Sequence, residues 1–530
     1  MKLKIKLLLT VLAVIAAAVY YYVTIPALNI HSGGFWVFII SLVIVLTILF
    51  GSRKLKDGYA LKEVRSLKVG FVITGILVVI YVAGSILSSP IVNAKKYHSL
   101  LPIQEGNFTE DIEEVDYNEI PLLDKNSAEL LGNRKMGSLV DMVSQFEVSS
   151  LYTQINYQGK PVRVTPLVYA SPIKWLTNMS EGIPAYMMID MTTQDTECVR
   201  LENGGIRYSQ AEYFNRNIYR HLRFRYPTFI FDKLSFEIDE EGTPYWICPV
   251  KKYNIGLFGG QTIGKVVLCN AVTGETSCYE IEDCPQWVDS VYSASLLIQL
   301  YDYYGLYTNG FFNSVLGQKG CLQTTDGYNY LAMEDDVWVY TGITSVSGDQ
   351  SNVGFVLMNQ RTMEARYYSC PGAEEYSAMY SAEGQVQNLG YHATFPLLLN
   401  VADEPTYFMA LKDDAGLVKK YAMVNITKYQ NVAIGDTVAD CEKSYINLLK
   451  TNGITKEPAA ETEKVSGIIE TAAPVVLEGT SHYYVVLTGR DMIFDVNVSE
   501  FPQMIRYKEG DQITLEYTAG EELQNVVGIL

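Results

Sequence analysis

Histidine and cysteine are scarce in this chain, five and eight among 530 residues, and that scarcity removes most familiar catalytic chemistry. None of His31, His98, His221, His392 and His482 lies in a motif setting. No H-E-x-x-H and no C-x-x-C occurs, so zinc-ligand spacing is missing. No G-x-S-x-G elbow presents a nucleophile. No glycine-rich loop leaves a strand to open a helix, and Gly259-Gly260 sits in a hairpin-like connection instead. Nothing here implies a cofactor. Basic residues are also in deficit, 41 against 59 acids. Nucleic acid is therefore an improbable partner, because neutralising phosphates takes clustered Lys and Arg.

What is present is apolar and aromatic. An apolar fraction of 48% with only 19% charged residues excludes wholesale disorder. Acids are concentrated away from the N-terminus: residues 1–88 hold nine Lys and Arg but only Asp57 and Glu63. Three uncharged apolar runs, Leu7–Ile25, Gly33–Phe50 and Val69–Leu87, explain why. Each approaches the ~20 residues that cross a hydrocarbon core as a helix.

The flanking charges orient these runs. Lys2, Lys4 and Lys6 precede the first, and Arg53, Lys54, Lys56, Lys62, Arg65 and Lys68 separate the second from the third. The connector Pro26 to Gly34 has neither Lys nor Arg, and Tyr20, Tyr21, Tyr22 and Trp36 flank it. The positive-inside rule then sets the N-terminus and the 51–68 loop in the cytoplasm and everything after about Ser88 outside. The expectation is a multi-pass cell-membrane protein with a large exported C-terminal part, the lipid bilayer being its first partner. A cleaved signal peptide ending near Ala16–Ala18 is the rival reading of the first run alone. No ionisable residue lies inside the runs, which argues against a transport path.

All eight cysteines fall in the exported part. Structural disulfides, with Cys269–Cys278 across a hairpin as one pair, stand beside the alternative of small buried hydrophobes such as Cys248 and Cys269.

The exported part divides into an exit segment with a first helix and strands (89–170), two α+β regions (171–290 and 291–451), a polar linker (452–464) and a strand-dense tail (465–530). The exit segment carries the acidic run Glu110 to Glu119. A helix capped by Ser127 is expected there, followed by the alternating strands Tyr152–Tyr157 and Val162–Leu167. Thirty-nine tyrosines suit such a strand-rich architecture. Further helices are expected over 210–225, 285–304 and 373–389, with Asp289, Tyr292, Leu296 and Leu300 on one face of the second.

An internal repeat organises the α+β regions. Val267-Leu-Cys-Asn270-x-x-Thr273-x-Glu275 matches Val356-Leu-Met-Asn359-x-x-Thr362-x-Glu364 and Met187-Met-Ile-Asp190-x-x-Thr193-x-Asp195. Ala422-Met-Val-Asn425 begins a fourth copy in which Lys428 replaces the threonine. The chemistry is that of a strand ending in an Asx turn, with Gly274 at a positive-φ position. The segment from Pro244-Tyr-Trp-Ile to Asn270-Ala-Val-Thr-Gly-Glu275 resembles a PepSY module, with Asn270 where that family usually has Asp. The likeness covers 209–284 and, through the repeat, 371–435. It implies helix-plus-antiparallel-sheet units that bind and restrain peptidases or regulate the envelope, without catalytic residues of their own. The tail, with strands at 465–469, 483–487, 493–498 and 513–517 punctuated by Gly479, Gly489 and Gly510, suggests a small OB-like barrel.

Two charged features remain. Asp239-Glu240-Glu241, Glu334-Asp335-Asp336 and Asp413-Asp414 read first as solvated hairpin-turn acids, with Ca²⁺ binding or the paired carboxylates of an envelope hydrolase, such as Glu334 with Asp336, as alternatives. Arg216, Arg220 and Arg223 recur at i, i+4 and i+7 with His221 beside them. On one helix face they would hold an anion or a partner's carboxylates; otherwise they are a solvated face. The leading expectation is a non-enzymatic anchored protein that binds or regulates an envelope protein. The hydrolase, and a structural scaffold for a membrane complex, are the alternatives.

Overall fold

The computed structural model describes residues 2–56, 65–112, 120–121, 123–202, 204–333, 335–346, 351–454, 462–477, 480–518 and 523–530. The fold mixes helix and antiparallel sheet and ends in a closed five-stranded barrel. Helices Lys2–Thr24, Gly33–Lys56 and Arg65–Leu87 occupy the three apolar runs. Among the described residues only Leu67–Leu87 is long and apolar enough to cross a membrane, and Thr10–Thr24 and Gly33–Leu49 are shorter apolar helices. Of the basic 51–68 loop, residues 57–64 lie outside the described residues, as do 113–119 of the acidic run, 455–461 of the linker, Glu334 and Gly479.

Four antiparallel sheets follow in chain order. The first contains Phe146–Val148, Thr153–Tyr157, Lys160–Tyr169, Ala185–Asp190 and Thr196–Arg200. The second is a meander of Ser235–Ile238, Pro244–Ile255, Gly259–Asn270 and Thr276–Glu280. The third is built around Asp336–Ser345, Ser351–Asn359 and Ala365–Ala373, with Ile103–Glu105 added in parallel at one edge. The fourth is built around Leu397–Val401, Glu404–Lys412 and Val418–Asn425. The expected boundary at 170 falls inside the first sheet, because Lys160–Tyr169 pairs with Ala185–Asp190.

The sheets stack in sequence, and strand alternation explains how. Along Pro244–Ile255, Trp246, Cys248 and Val250 enter the core shared with the first sheet, whereas Ile247 enters the core shared with the third. In the third sheet Trp338, Tyr340 and Leu357 face the fourth, while Val339, Val356 and Met358 face the second. Successive side chains of a strand point to opposite faces, so a middle sheet needs apolar residues at nearly every position.

Several helices differ from expectation. Asp124, not Ser127, caps Lys125–Gly137, its carboxylate accepting the Ser127 amide at 2.9 Å. The helix expected over 285–304 is Ala294–Leu306. Upstream, the amides of Asp289 and Ser290 donate to the Glu237 carboxylate and those of Val291 and Tyr292 to the Gln360 carbonyl, which holds Asp289 and Tyr292 out of the helix. The helix expected over 373–389 is Glu375–Gln385, because Ala373 ends a strand. All eight cysteines are free: Cys248 and Cys269 are fully buried strand residues, and no disulfide joins Cys269 to Cys278.

Three of the four Asx turns share one hydrogen-bond pattern. Asp190 accepts the amides of Thr192 and Thr193, Asn270 those of Val272 and Thr273, and Asn359 those of Arg361 and Thr362. In each of these three, the threonine hydroxyl also accepts the amide two residues on. Asn425 accepts from the Lys428 amide and the Thr427 hydroxyl. Gln194, Gly274 and Met363 take positive φ at equivalent places.

The barrel strands are Thr462–Leu477, Thr480–Leu487, Ile493–Asn497, Gln512–Thr518 and Leu523–Ile529, around Val485, Phe494 and Leu515. Ile493–Asn497 and Leu523–Ile529 pair in parallel, and the other pairings are antiparallel.

Candidate functional site

The arginines do not share one helix face. The helix runs Ile218–Arg225, and Arg216 ends a separate single turn, Phe214–Arg216. Asn217 between them is extended, at φ −60° and ψ 123°, so the i, i+4, i+7 register is broken. The side chains instead seek backbone carbonyls. Arg216 donates to Met179, and His221 Nε2 lies 2.7 Å from the Gly274 carbonyl in the second Asx turn. Arg223 Nε donates to the Ile25 carbonyl at 3.0 Å, and Arg220 lies over the Tyr22 ring with its Cζ 5.0 Å from the centroid. Helix C-termini expose unpaired carbonyls and a partial negative charge, so cations suit that end of Lys2–Thr24. Burial pushes the His221 and Arg223 pKa values down.

A second contact joins the same regions. The hairpin tip between Pro244–Ile255 and Gly259–Asn270 reaches the end of Arg65–Leu87, where Ser88 Oγ accepts the amides of Leu257 and Phe258 at 2.8 and 3.1 Å. Phe258 packs on Trp36 and Tyr81, and His31 bonds the Leu257 carbonyl at 2.7 Å. The second sheet and its helix thus rest on the ends of all three apolar helices.

The acid clusters serve turns. Asp239 accepts the Thr243 amide, and Asp413 those of Ala415 and Leu417. Asp336, 4% exposed, takes a two-pronged bond from Arg361 at 2.6 and 2.8 Å and a third from Asn359 at 2.8 Å. Those bonds occupy both of its oxygens. Glu237 and Asp289 form a different acid pair, sealed between the first three sheets. Burial raises both pKa values, and each carboxylate opposes ionisation of the other.

A polar concavity lies elsewhere. A cavity of about 360 Å³ opens where the four sheets converge, lined by Gln154 and Arg163 of the first, Ser235 of the second, Tyr330 of the third and Phe395 of the fourth. Gln154 and Arg163 are cross-strand partners. Arg163 Nη2 donates to Gln154 Oε1 at 3.1 Å, while Arg163 Nε and Gln154 Nε2 have no partner among the described residues. These residues are 5% and 4% exposed. Sequence reading passed over Arg163. Its signal was an arginine inside Val162-Arg-Val-Thr, a strand now seen to be buried on both faces.

Compared with protein-family models and with curated proteins, the chain matches none.

Proposed function

We propose that this chain is a non-enzymatic, multi-pass membrane protein whose PepSY-like head, outside the cytoplasm, binds or restrains an envelope protein. The observation that carries this reading is the docking of Arg220, Arg223 and the Leu257–Phe258 hairpin tip onto the outer ends of the three apolar helices. It supports reading the head and the helices as one unit, with the stacked sheets beside the lipid surface. The apolar parts of the helices Lys2–Thr24 and Gly33–Lys56, shorter than Leu67–Leu87, are read as two further passes beside it. Three Asx turns of one pattern, with a variant fourth, support the module reading, and the order of strands in the tail suits an OB-like barrel. A hydrolase acting through Asp336 is disfavoured, since Arg361 and Asn359 already hold that carboxylate.

Cys278 is the one exposed thiol among eight free cysteines, and it tests the topology. A membrane-impermeant maleimide added to intact cells or spheroplasts will label Cys278 in the full chain, and Cys278→Ser will abolish the label. Labelling only after permeabilisation overturns the orientation. For the partner, pull-down of the full chain from detergent-solubilised membranes is expected to enrich an envelope protein. Failure to enrich one sinks the binding role.

A further inference from the structure

Arg163 poses an energetic problem that the fold does not solve by itself. A guanidinium removed from water costs several kcal/mol unless a counter-charge and hydrogen bonds replace its hydration, roughly as for any buried ion. Burial pulls the Arg163 pKa down. Yet among the described residues its bonded partner is a neutral amide, Gln154, and Nε faces no acceptor. The one acid lining the cavity, Asp124, is already taken by Lys412 Nζ at 2.5 Å and by the Ser127 amide, which help hold its carboxyl below the usual range despite burial.

The rest of the cavity is also arranged for negative charge. The first residues of two helices line it: Lys125 and Asn126 of Lys125–Gly137, and Ala294 and Ser295 of Ala294–Leu306. Helix N-termini carry partial positive charge and unpaired amides. Ser293, which precedes the second helix, makes no side-chain cap bond. Lys125 and Lys233 stand exposed at the rim. Rings also line the cavity: Tyr328 and Tyr330, with centroids 5.6 Å apart, and Phe395. The volume of about 360 Å³ is at the small end of the range for small-molecule sites, about 300–1,000 Å³.

We infer that this cavity binds a small organic oxyanion, a carboxylate or a phosphate monoester on a compact aromatic or apolar body, with Arg163 as the charge-pairing group. Arg163 Nε and Nη2 present the fork that grips two oxygens of such a group. The unpartnered Gln154 Nε2 adds a donor. The ring walls take the apolar body. This is a small-molecule site, distinct from the protein-partner role proposed above and independent of it.

The test is calorimetric titration of the full chain in detergent with phenyl phosphate, benzoate and the neutral benzyl alcohol. One or both anions will saturate a single site, and the alcohol will bind at least ~10-fold more weakly, as expected of a charge-assisted contact. The anion that binds better identifies the headgroup. Arg163→Gln will weaken that anion by ~10-fold or more. Should Arg163→Gln not fold, Lys125→Glu combined with Lys233→Glu reads the same site from exposed positions. That pair is expected to weaken the anion several-fold at an unchanged melting temperature. Absence of saturable binding by either anion, equal binding of the alcohol, or undiminished anion affinity in the folded variants overturns the inference.

Discussion

Arg223 Nε and the Ile25 carbonyl oxygen, 198 positions apart in the chain, lie 3.0 Å from each other. Ile25 sits just past the end of Lys2–Thr24 with φ +38°, a left-handed conformation that is strained for a β-branched residue. Arg223 also donates to the carbonyls of Tyr226, Pro227 and Phe229, so one guanidinium ties the helix end to the loop that follows the arginine helix. The Leu28 amide returns the contact by donating to Pro227 at 2.7 Å.

Removing this clamp should release the head locally without unfolding it. In Arg220→Ala/Arg223→Ala, limited proteolysis of the full chain in detergent is expected to cut the Pro26–His31 connector several times faster. Cleavage inside the sheets should keep its wild-type rate. Arg223→Lys will rescue little, because a point charge cannot serve four carbonyls held in a fork. Unchanged connector cleavage in the double variant would show that the hairpin tip alone holds the contact.

The second Asx turn offers a cleaner measurement. Asn270 Oδ1 accepts two amides, each at 2.9 Å. Asn270→Ala leaves both without that acceptor and should cost about 1–2 kcal/mol in chemical denaturation. Asn270→Asp should be nearly neutral, since Asp190 makes the same two bonds in the first turn. Gly274 is less forgiving: a Cβ there would come within 2.4 Å of the Tyr208 ring, at φ +75°. Gly274→Ala is therefore expected to destabilise more than Asn270→Ala.

These turns were legible because their geometry is set by a handful of neighbouring residues. The barrel strands were legible for the same reason, through period-two alternation between glycines. The arginine face misled because three correct intervals cannot reveal that Asn217 is extended. Asp289 and Tyr292 were read as helical because a spacing of three or four says nothing of Glu237, whose carboxylate takes the Asp289 and Ser290 amides from some fifty residues away. Arg163 was the hardest of all. Its meaning depends on which segments of four different sheets surround it, and no local pattern encodes that.

Asp336 and Arg361 connect the strand that opens the third sheet's main hairpin to the third Asx turn. Asp336 is buried beside Asp289, so its charge needs the guanidinium. Arg361→Ala should cost about 3 kcal/mol, because truncating one partner strands the other charge in a poor solvent. Asp336→Asn with Arg361→Met should recover much of that loss by removing both charges. Equal destabilisation in the single and double variants would place the cost in packing instead.

The Glu237–Asp289 pair gives the head a pH dependence whose sign is fixed by burial. Glu237 is pushed up from 4.5 to about 7 by desolvation, against the amide bonds that favour its ionised form. Asp289 is raised by desolvation and by Glu237, with Asp336 and Asp335 adding to the repulsion. Among the described residues, Arg361, bound to Asp336, and the Cys284 thiol also act on this cluster. A carboxyl whose pKa is higher folded than unfolded binds more protons in the folded state between those two values. Its contribution to stability is therefore fully present below about pH 4.5 and is lost as the pH rises through about 7. Melting temperatures of the full chain and of Glu237→Gln, measured from pH 5 to pH 8, should accordingly converge as the pH rises, the variant losing less stability over that range. Asp289→Asn added to Glu237→Gln should flatten the profile further. A wild-type chain whose stability stayed constant relative to Glu237→Gln between pH 5 and pH 8 would mean that the pair ionises at ordinary carboxylate values, and that the protein interior around it is wetter than its burial indicates.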